Sequence, residues 1–157
     1  MNTEILQITE QLKEAYEGEP WFGRSIKSLL KDVDENIAFE KPNGQHSILE
    51  LVWHIVIWRV FTINRLRNDE KTNLQYFEEN DWQQLNHNDK TLWKRGLKRL
   101  EETQSELIES LQKQQGNILN EIVPGRKYNF RKLLYGIIQH DIYHIGQIAY
   151  ITKLLRK

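Results

Sequence analysis

The stretch Ser47-Ile-Leu-Glu50-Leu-Val-Trp-His54-Ile-Val-Ile-Trp58-Arg-Val-Phe61-Thr-Ile-Asn-Arg-Leu-Arg-Asn68 decides the fold. Its composition leans toward a strand. Val52, Ile55, Val56, Ile57 and Val60 are β-branched, and Trp53, Trp58 and Phe61 are aromatic. Its length and pattern lean the other way. About 20 residues run with no Pro or Gly and no clean apolar–polar alternation, which favours a helix. Ser47 followed three residues on by Glu50 is a capping box, which satisfies two free N–H groups at a helix start. The stretch therefore predicts a helix reaching about Asn68.

Working outward, only three prolines and eight glycines punctuate 157 residues, so the other elements should also be long helices. Upstream, Ile5, Ile8, Leu12 and Tyr16 step by three and four along one helix face, with Thr3 and Glu4 as the cap region. Gly18-Glu-Pro20-Trp-Phe interrupts the pattern before Ile26, Leu29, Leu30 and Val33 resume it. This predicts a kinked or broken first helix from Thr3 to Val33, with Pro20 in the first turn of its second half. Asn36 to His46 is a connector. Downstream, Asp69 to Asn88 is a long connection whose Tyr76, Phe77 and Trp82 need something to pack on. A third helix, capped by Asn88 or Asp89, carries the stripe Trp93, Leu97, Leu100, Leu107, Leu111. It ends about Gln115, at Gly116-Asn117. After a Pro124-Gly125 turn, Asn129 caps a last helix from Phe130 to about Leu155. The basic end of that helix (Lys153, Arg156, Lys157) suits the helix dipole. Four long helical segments without strands predict an all-α four-helix bundle, one domain over residues 1–157.

Lys+Arg and Asp+Glu both total 22, so the net charge is zero. A dedicated nucleic-acid binder or a polybasic membrane-surface protein would carry a basic excess, so neither is expected. Sixteen aromatic residues, five of them Trp, argue against disorder. With no Cys there is no disulfide, thiolate ligand or protein thiol nucleophile. The most apolar stretch, Ile48 to Ile63, is broken by Glu50, His54 and Arg59 and is too short to span a bilayer. The start shows no signal peptide, so a cytoplasmic location is expected.

The five histidines carry the functional signal. His140 and His144 are i and i+4 on the last helix, within the stripe Leu133, Ile137, Ile148, Ile151. His54 takes the matching place on the second helix, on the face of Leu51, Trp58 and Phe61. Three inward imidazoles from two helices suit a divalent metal with open positions. One buried histidine is more often a satisfied core residue. Several without a ligand would carry unsatisfied nitrogens and would repel when protonated. Glu50 and Gln147 are candidates to accept the second ring N–H, with capping as the competing role of Glu50. Asp141 is expected at the surface or as an outer group, and His46 and His87 as surface or capping residues. Gly146 is expected to admit a close neighbour.

His140-Asp-Ile-Tyr-His144-Ile-Gly146-Gln147, the upstream Ser47-x-x-Glu50-Leu-x-x-His54 and Pro20-Trp21-Phe22-Gly23 occur in this order over almost the whole chain. Together they resemble the DinB-like (DinB/YfiT-like) superfamily of bacterial metal-binding four-helix bundles. The resemblance implies a divalent metal on His54, His140 and His144. Zn and Ni lead the candidates, with Fe, Mn and Cu behind them. It also implies relatives among bacillithiol-type thiol transferases, mycothiol-dependent isomerases and glutathione-dependent enzymes. The chain ends after the fourth helix, without the extra domain of the mycothiol isomerases, which turns the expectation away from them.

The expected function is thus a metal-dependent enzyme on a small molecule. It would either transfer a low-molecular-weight thiol to an electrophile, which needs no protein Cys, or hydrolyse a substrate with activated water. Glu50 is the candidate catalytic residue for proton transfer. The alternatives are a non-enzymatic metal-binding stress-response bundle, or a structural bundle with core histidines. A homodimer fits the resemblance.

Overall fold

The computed structural model describes residues 3–69, 73–114 and 117–156. Four long helices dominate: α1 (Thr3–Glu17), α4 (Ile48–Leu66), α6 (Thr91–Gln112) and α7 (Phe130–Leu155). Three short ones, α2 (Ile26–Lys31), α3 (Glu35–Ala38) and α5 (Leu74–Glu79), lie in the connections. Among the described residues there is no strand, only an isolated antiparallel bridge between Ile122 and Asn129. The all-α bundle is as expected.

α4 is the central rod and packs along both α6 and α7, while α1 closes the bundle against α6 and α7. The capping box is complete: the Ser47 hydroxyl accepts from the Glu50 N–H (3.2 Å), and Glu50 Oε2 accepts from the Ser47 N–H (2.9 Å). α4 is apolar around most of its circumference because it is buried on most sides. Tertiary burial and capping thus override the strand propensity of its β-branched residues. It stops at Leu66, two residues short of expectation, where Asn68 turns left-handed (φ 52°). α6 approaches α4 at Gly96, where a Cβ would meet Trp53 Nε1 at 3.0 Å. That indole N–H donates to the Leu92 carbonyl (3.3 Å).

The first helix is broken rather than kinked, and Pro20 is not in the first turn of a second half. α1 ends at Glu17. Pro20 sits in a turn closed by the Gly23 N–H donating to its carbonyl (3.1 Å), and α2 starts only at Ile26. Proline's fixed φ suits a turn as well as a helix start, and the left-handed Gly23 (φ 132°) chooses the turn. Asp89 serves the start of α6 by accepting from the Thr91 N–H and hydroxyl, and α6 ends at Gln112. The expected stops at Gln115 and Gly116 lie outside the described residues, as does Lys157. Asn129 caps α7 by accepting from the Lys132 N–H (3.0 Å).

The interior has two apolar halves. One gathers Ile5, Ile8, Phe61, Leu107 and Leu134, and the other Tyr16, Ile48, Ile55, Leu100 and Ile148. A polar layer lies where they meet. Arg59 and Asp141, each 1% exposed, form an ion pair with both Nε and Nη2 at 2.8 Å from Asp141 Oδ2. Arg59 Nη1 donates to Gln104 Oε1 (2.9 Å), and Gln104 Nε2 donates to the Leu12 carbonyl (3.1 Å). All four long helices are tied at this level. Asp141 is therefore a core residue, not a surface charge. It faces inward because a buried guanidinium is tolerated only beside a counter-charge.

Candidate metal centre

His54 from α4 meets His140 and His144 from α7 beside this polar layer. One ring nitrogen of each lies within 4.8 Å of the others. His54 and His144 are buried and His140 is half-buried. The structure brings together the three residues that spacing selected.

The second nitrogen of each ring shows which atom faces inward. His54 Nδ1–H donates to the Asp81 carbonyl (2.9 Å), with Asp81 Oδ1 at 3.1 Å. A carbonyl can only accept, so Nδ1 carries the proton and Nε2 offers its lone pair. His144 Nδ1–H donates to Gln147 Oε1 (2.7 Å), which leaves Nε2 bare by the same reasoning. His140 Nε2 lies 3.0 Å from His54 Nε2. His140 Nδ1 and Asp141 Oδ1 are buried, have no hydrogen-bond partner among the described residues and lie 3.6 Å apart.

This pair tests the fit to a cation. If His140 Nε2–H donates to His54, a bare Nδ1 faces a carboxylate oxygen, acceptor against acceptor. If the proton sits on Nδ1 it faces Asp141, and three bare Nε2 atoms then crowd together. A cation would relieve that crowding, and this is the tautomer set that metal-ligating histidines adopt. The three histidines can hold a metal ion, and the donor set fits one.

The surroundings favour neutral imidazoles. Burial is the main cause that lowers the His144 pKa, to about 4. The Gln147 bond opposes the shift, while His140 and His54 add to it. Burial also lowers His54, opposed by the Asp81 carbonyl and reinforced by His140. Neutral rings are what a metal requires.

Gln147 supports His144 as expected. The partner of His54 is not Glu50 but Asp81, from the long connection. Asp81 Oδ1 also accepts from Trp58 Nε1 (2.6 Å), so one loop residue is tied to both His54 and Trp58 of α4. The next residue, Trp82, lies flat between the imidazoles of His54 (4.0 Å) and His46 (3.6 Å). The loop aromatics divide their work. Phe77 enters the core, Trp82 covers the centre, and Tyr76 stays exposed. Sequence reading missed Asp81 because nothing local ties an Asn-Asp-Trp tripeptide to a helix 27 residues earlier.

Glu50 is buried and heavily engaged. Oε2 accepts from the Ser47 N–H and lies 3.4 Å from His46 Nδ1. Oε1 pairs with Lys41 Nζ (2.6 Å) and lies 3.3 Å from His87 Nε2. Burial would raise its pKa, but Lys41, the Ser47 N–H and His87 outweigh it and hold the carboxyl at about 2. His87 is not a plain surface residue: it spans Glu50 and the Phe39 carbonyl (3.0 Å). His46 is half-exposed but belongs to the site through Trp82.

A pocket of about 930 Å³ opens onto His54 and His144. Trp82, Tyr143, Tyr150 and Leu154 give it aromatic and apolar walls, and Asn43, Gln45 and Gln147 supply amides. Among the described lining residues there is no Lys, Arg, Asp or Glu. Gly146 lines it too. A Cβ there would meet nothing within 4 Å, so this glycine leaves pocket volume rather than admitting a close neighbour.

Fold and centre together define a helical bundle with one three-imidazole site between two of its rods. The chain belongs to the DinB superfamily, whose family model matches residues 22–148. No curated protein and no solved structure gives a significant match to it. Among the described residues no single helix is long and apolar enough to cross a membrane.

Proposed function

We propose that the protein is a metal-dependent enzyme acting on a small, uncharged molecule with aromatic or apolar character. The observation that carries this reading is the coincidence of three converging imidazoles with the mouth of an uncharged pocket of about 930 Å³. A metal held by His54, His140 and His144 would supply Lewis-acid chemistry, lowering the pKa of a bound thiol or water so that no protein Cys is needed. Zn and Ni suit three imidazoles best, ahead of Fe, Mn and Cu.

The chain's own residues do the rest. Asp81 and Gln147 fix the rings of His54 and His144, and Asp141 Oδ1 faces His140 Nδ1 at 3.6 Å. Tyr143 offers a flat face to an aromatic substrate, Trp82 contributes its free edge, and the wall amides orient the substrate's polar groups. A wall without Lys or Arg supports a neutral electrophile or ester over a carboxylate-bearing ligand as the occupant. His46 reaches the pocket with Glu50 behind it, so His46 is positioned to hold or move a proton at Nε2. Glu50, ionised throughout the neutral range, acts here as a positioning anion for His46.

The test is turnover by Zn- or Ni-loaded protein. Neutral aryl esters are offered alone, and neutral aryl electrophiles are offered with cysteine as the thiol. Turnover lost in His54→Ala supports the reading, and the panel that responds separates hydrolysis from thiol transfer. No turnover in either panel, with metal bound, would favour a non-enzymatic metal-binding bundle.

A further inference from the structure

The centre has a second approach. A separate cavity of about 230 Å³ reaches His140 from the other half of the α4–α7 groove. The larger pocket uses Leu51 and His54 of α4 with residues 143–154 of α7, and the smaller uses Trp58, Phe61 and Thr62 with residues 132–140. They share no lining residue, and the three imidazoles lie between them.

Gly136 gives the smaller cavity its meaning. It sits inside α7, where glycine costs about 1 kcal/mol relative to alanine. No close contact demands it, since a Cβ there would meet nothing within 4 Å. It has the same feature as Gly146 in the larger pocket. Each glycine keeps space open on one side of the triad. The small cavity is apolar through Phe61, Leu133 and Ile137; Thr62, Tyr128 and His140 are its polar lining residues, and exposed Lys132, whose ammonium lies 5.8 Å from the Tyr128 ring centroid, is its cationic one. Its volume equals that of roughly eight waters, which suits a compact ligand and excludes a thiol of tripeptide size.

We propose that the cavity between Trp58, Gly136 and His140 is a second ligand site, taking a compact co-substrate with an apolar body and one anionic end. Its role as a co-substrate site rests on the reading of the triad as the reactive centre. Its existence as a binding site does not, which makes the two separable.

Benzoate is the probe, and binding is followed by amide and indole N–H shifts of the ¹⁵N-labelled full chain, with and without Zn²⁺. The expected result is saturable shifts at the Trp58 indole, Thr62 and Gly136. Affinity should fall at least tenfold in Gly136→Leu and stay within twofold in Gly146→Leu. Gly136→Ala adds only a methyl group; it should melt at or above the wild-type temperature and still weaken benzoate about threefold. The proposal is overturned if benzoate gives no saturable shift, if the shifts fall at Tyr143 and Tyr150 instead, or if Gly136→Ala binds benzoate as tightly as wild type. Failure of Zn²⁺ to bind the histidines would sink the reactive-centre reading and leave the benzoate result to stand or fall alone.

Discussion

Replacing Asp141 with Asn separates the two tasks that this one carboxylate performs. Its Oδ2 neutralises Arg59, which is 1% exposed, and its Oδ1 faces His140 Nδ1. The amide keeps the shape and removes the charge. At an effective dielectric of about 20, a pair of charges about 4 Å apart is worth about 4 kcal/mol. Breaking a buried pair on one side costs about 3–5 kcal/mol, because the remaining charge is left uncompensated. Asp141→Asn should therefore lower the unfolding free energy of the metal-free protein by about 3–5 kcal/mol, read from urea denaturation. The new amide N–H would donate to His140 Nδ1 and push the ring proton to Nε2, the wrong atom for a ligand. Zn²⁺ affinity should fall about 10–100-fold, read by competition with a chromogenic chelator. The double variant Arg59→Met/Asp141→Leu should recover most of the stability and none of the metal affinity. A stability within about 1 kcal/mol of wild type for Asp141→Asn, or an unchanged Zn²⁺ affinity, would refute the reasoning.

Other outcomes follow from the same contacts. Ser47→Ala removes a cap and should cost about 1 kcal/mol in thermal or urea unfolding. Glu50 is held at about 2, below its ordinary 4.5, so its contribution is fully present above pH 4.5 and lost as pH falls toward 2. At about 1.4 kcal/mol per unit this is at most about 3–4 kcal/mol. The loss of stability between pH 5 and 2 should accordingly be smaller in Glu50→Gln than in wild type. Burial lowers His144 to about 4, so its proton competes with a metal only at lower pH than for an ordinary imidazole. Zn²⁺ should persist at pH 5.5 and be released as pH approaches 4; dialysis with elemental analysis at each pH reads this. Trp82→Ala uncovers one face of His54 and should weaken Zn²⁺ binding while leaving α-helical circular dichroism unchanged.

The starts of α4 and α7 were legible because each carries its own chemistry. The Ser47–Glu50 box and the Asn129 cap act over three residues, and local rules read three residues well. The triad was legible because i,i+4 spacing on an apolar stripe needs only helix geometry. What joins distant segments was not. Asp81 reaches His54, and Trp82 reaches both His54 and His46, across a loop with no periodicity to extrapolate. The inward turn of Asp141 depends on Arg59, 82 positions away on another helix, and a carboxylate looks the same in sequence whether its cation is water-exposed or buried. Pro20 misled for a related reason, since its fixed φ fits a turn and a helix start equally well.

The most direct measurement is the stoichiometry and ligand set of metal in untagged protein. Titration calorimetry with Zn²⁺, combined with X-ray absorption at the bound metal, gives both. The account predicts one ion per chain with three imidazole nitrogens at about 2.0–2.1 Å, lost together in His54→Ala, His140→Ala and His144→Ala. Binding that survives all three substitutions, or no stoichiometric binding in the wild type at neutral pH, would contradict it.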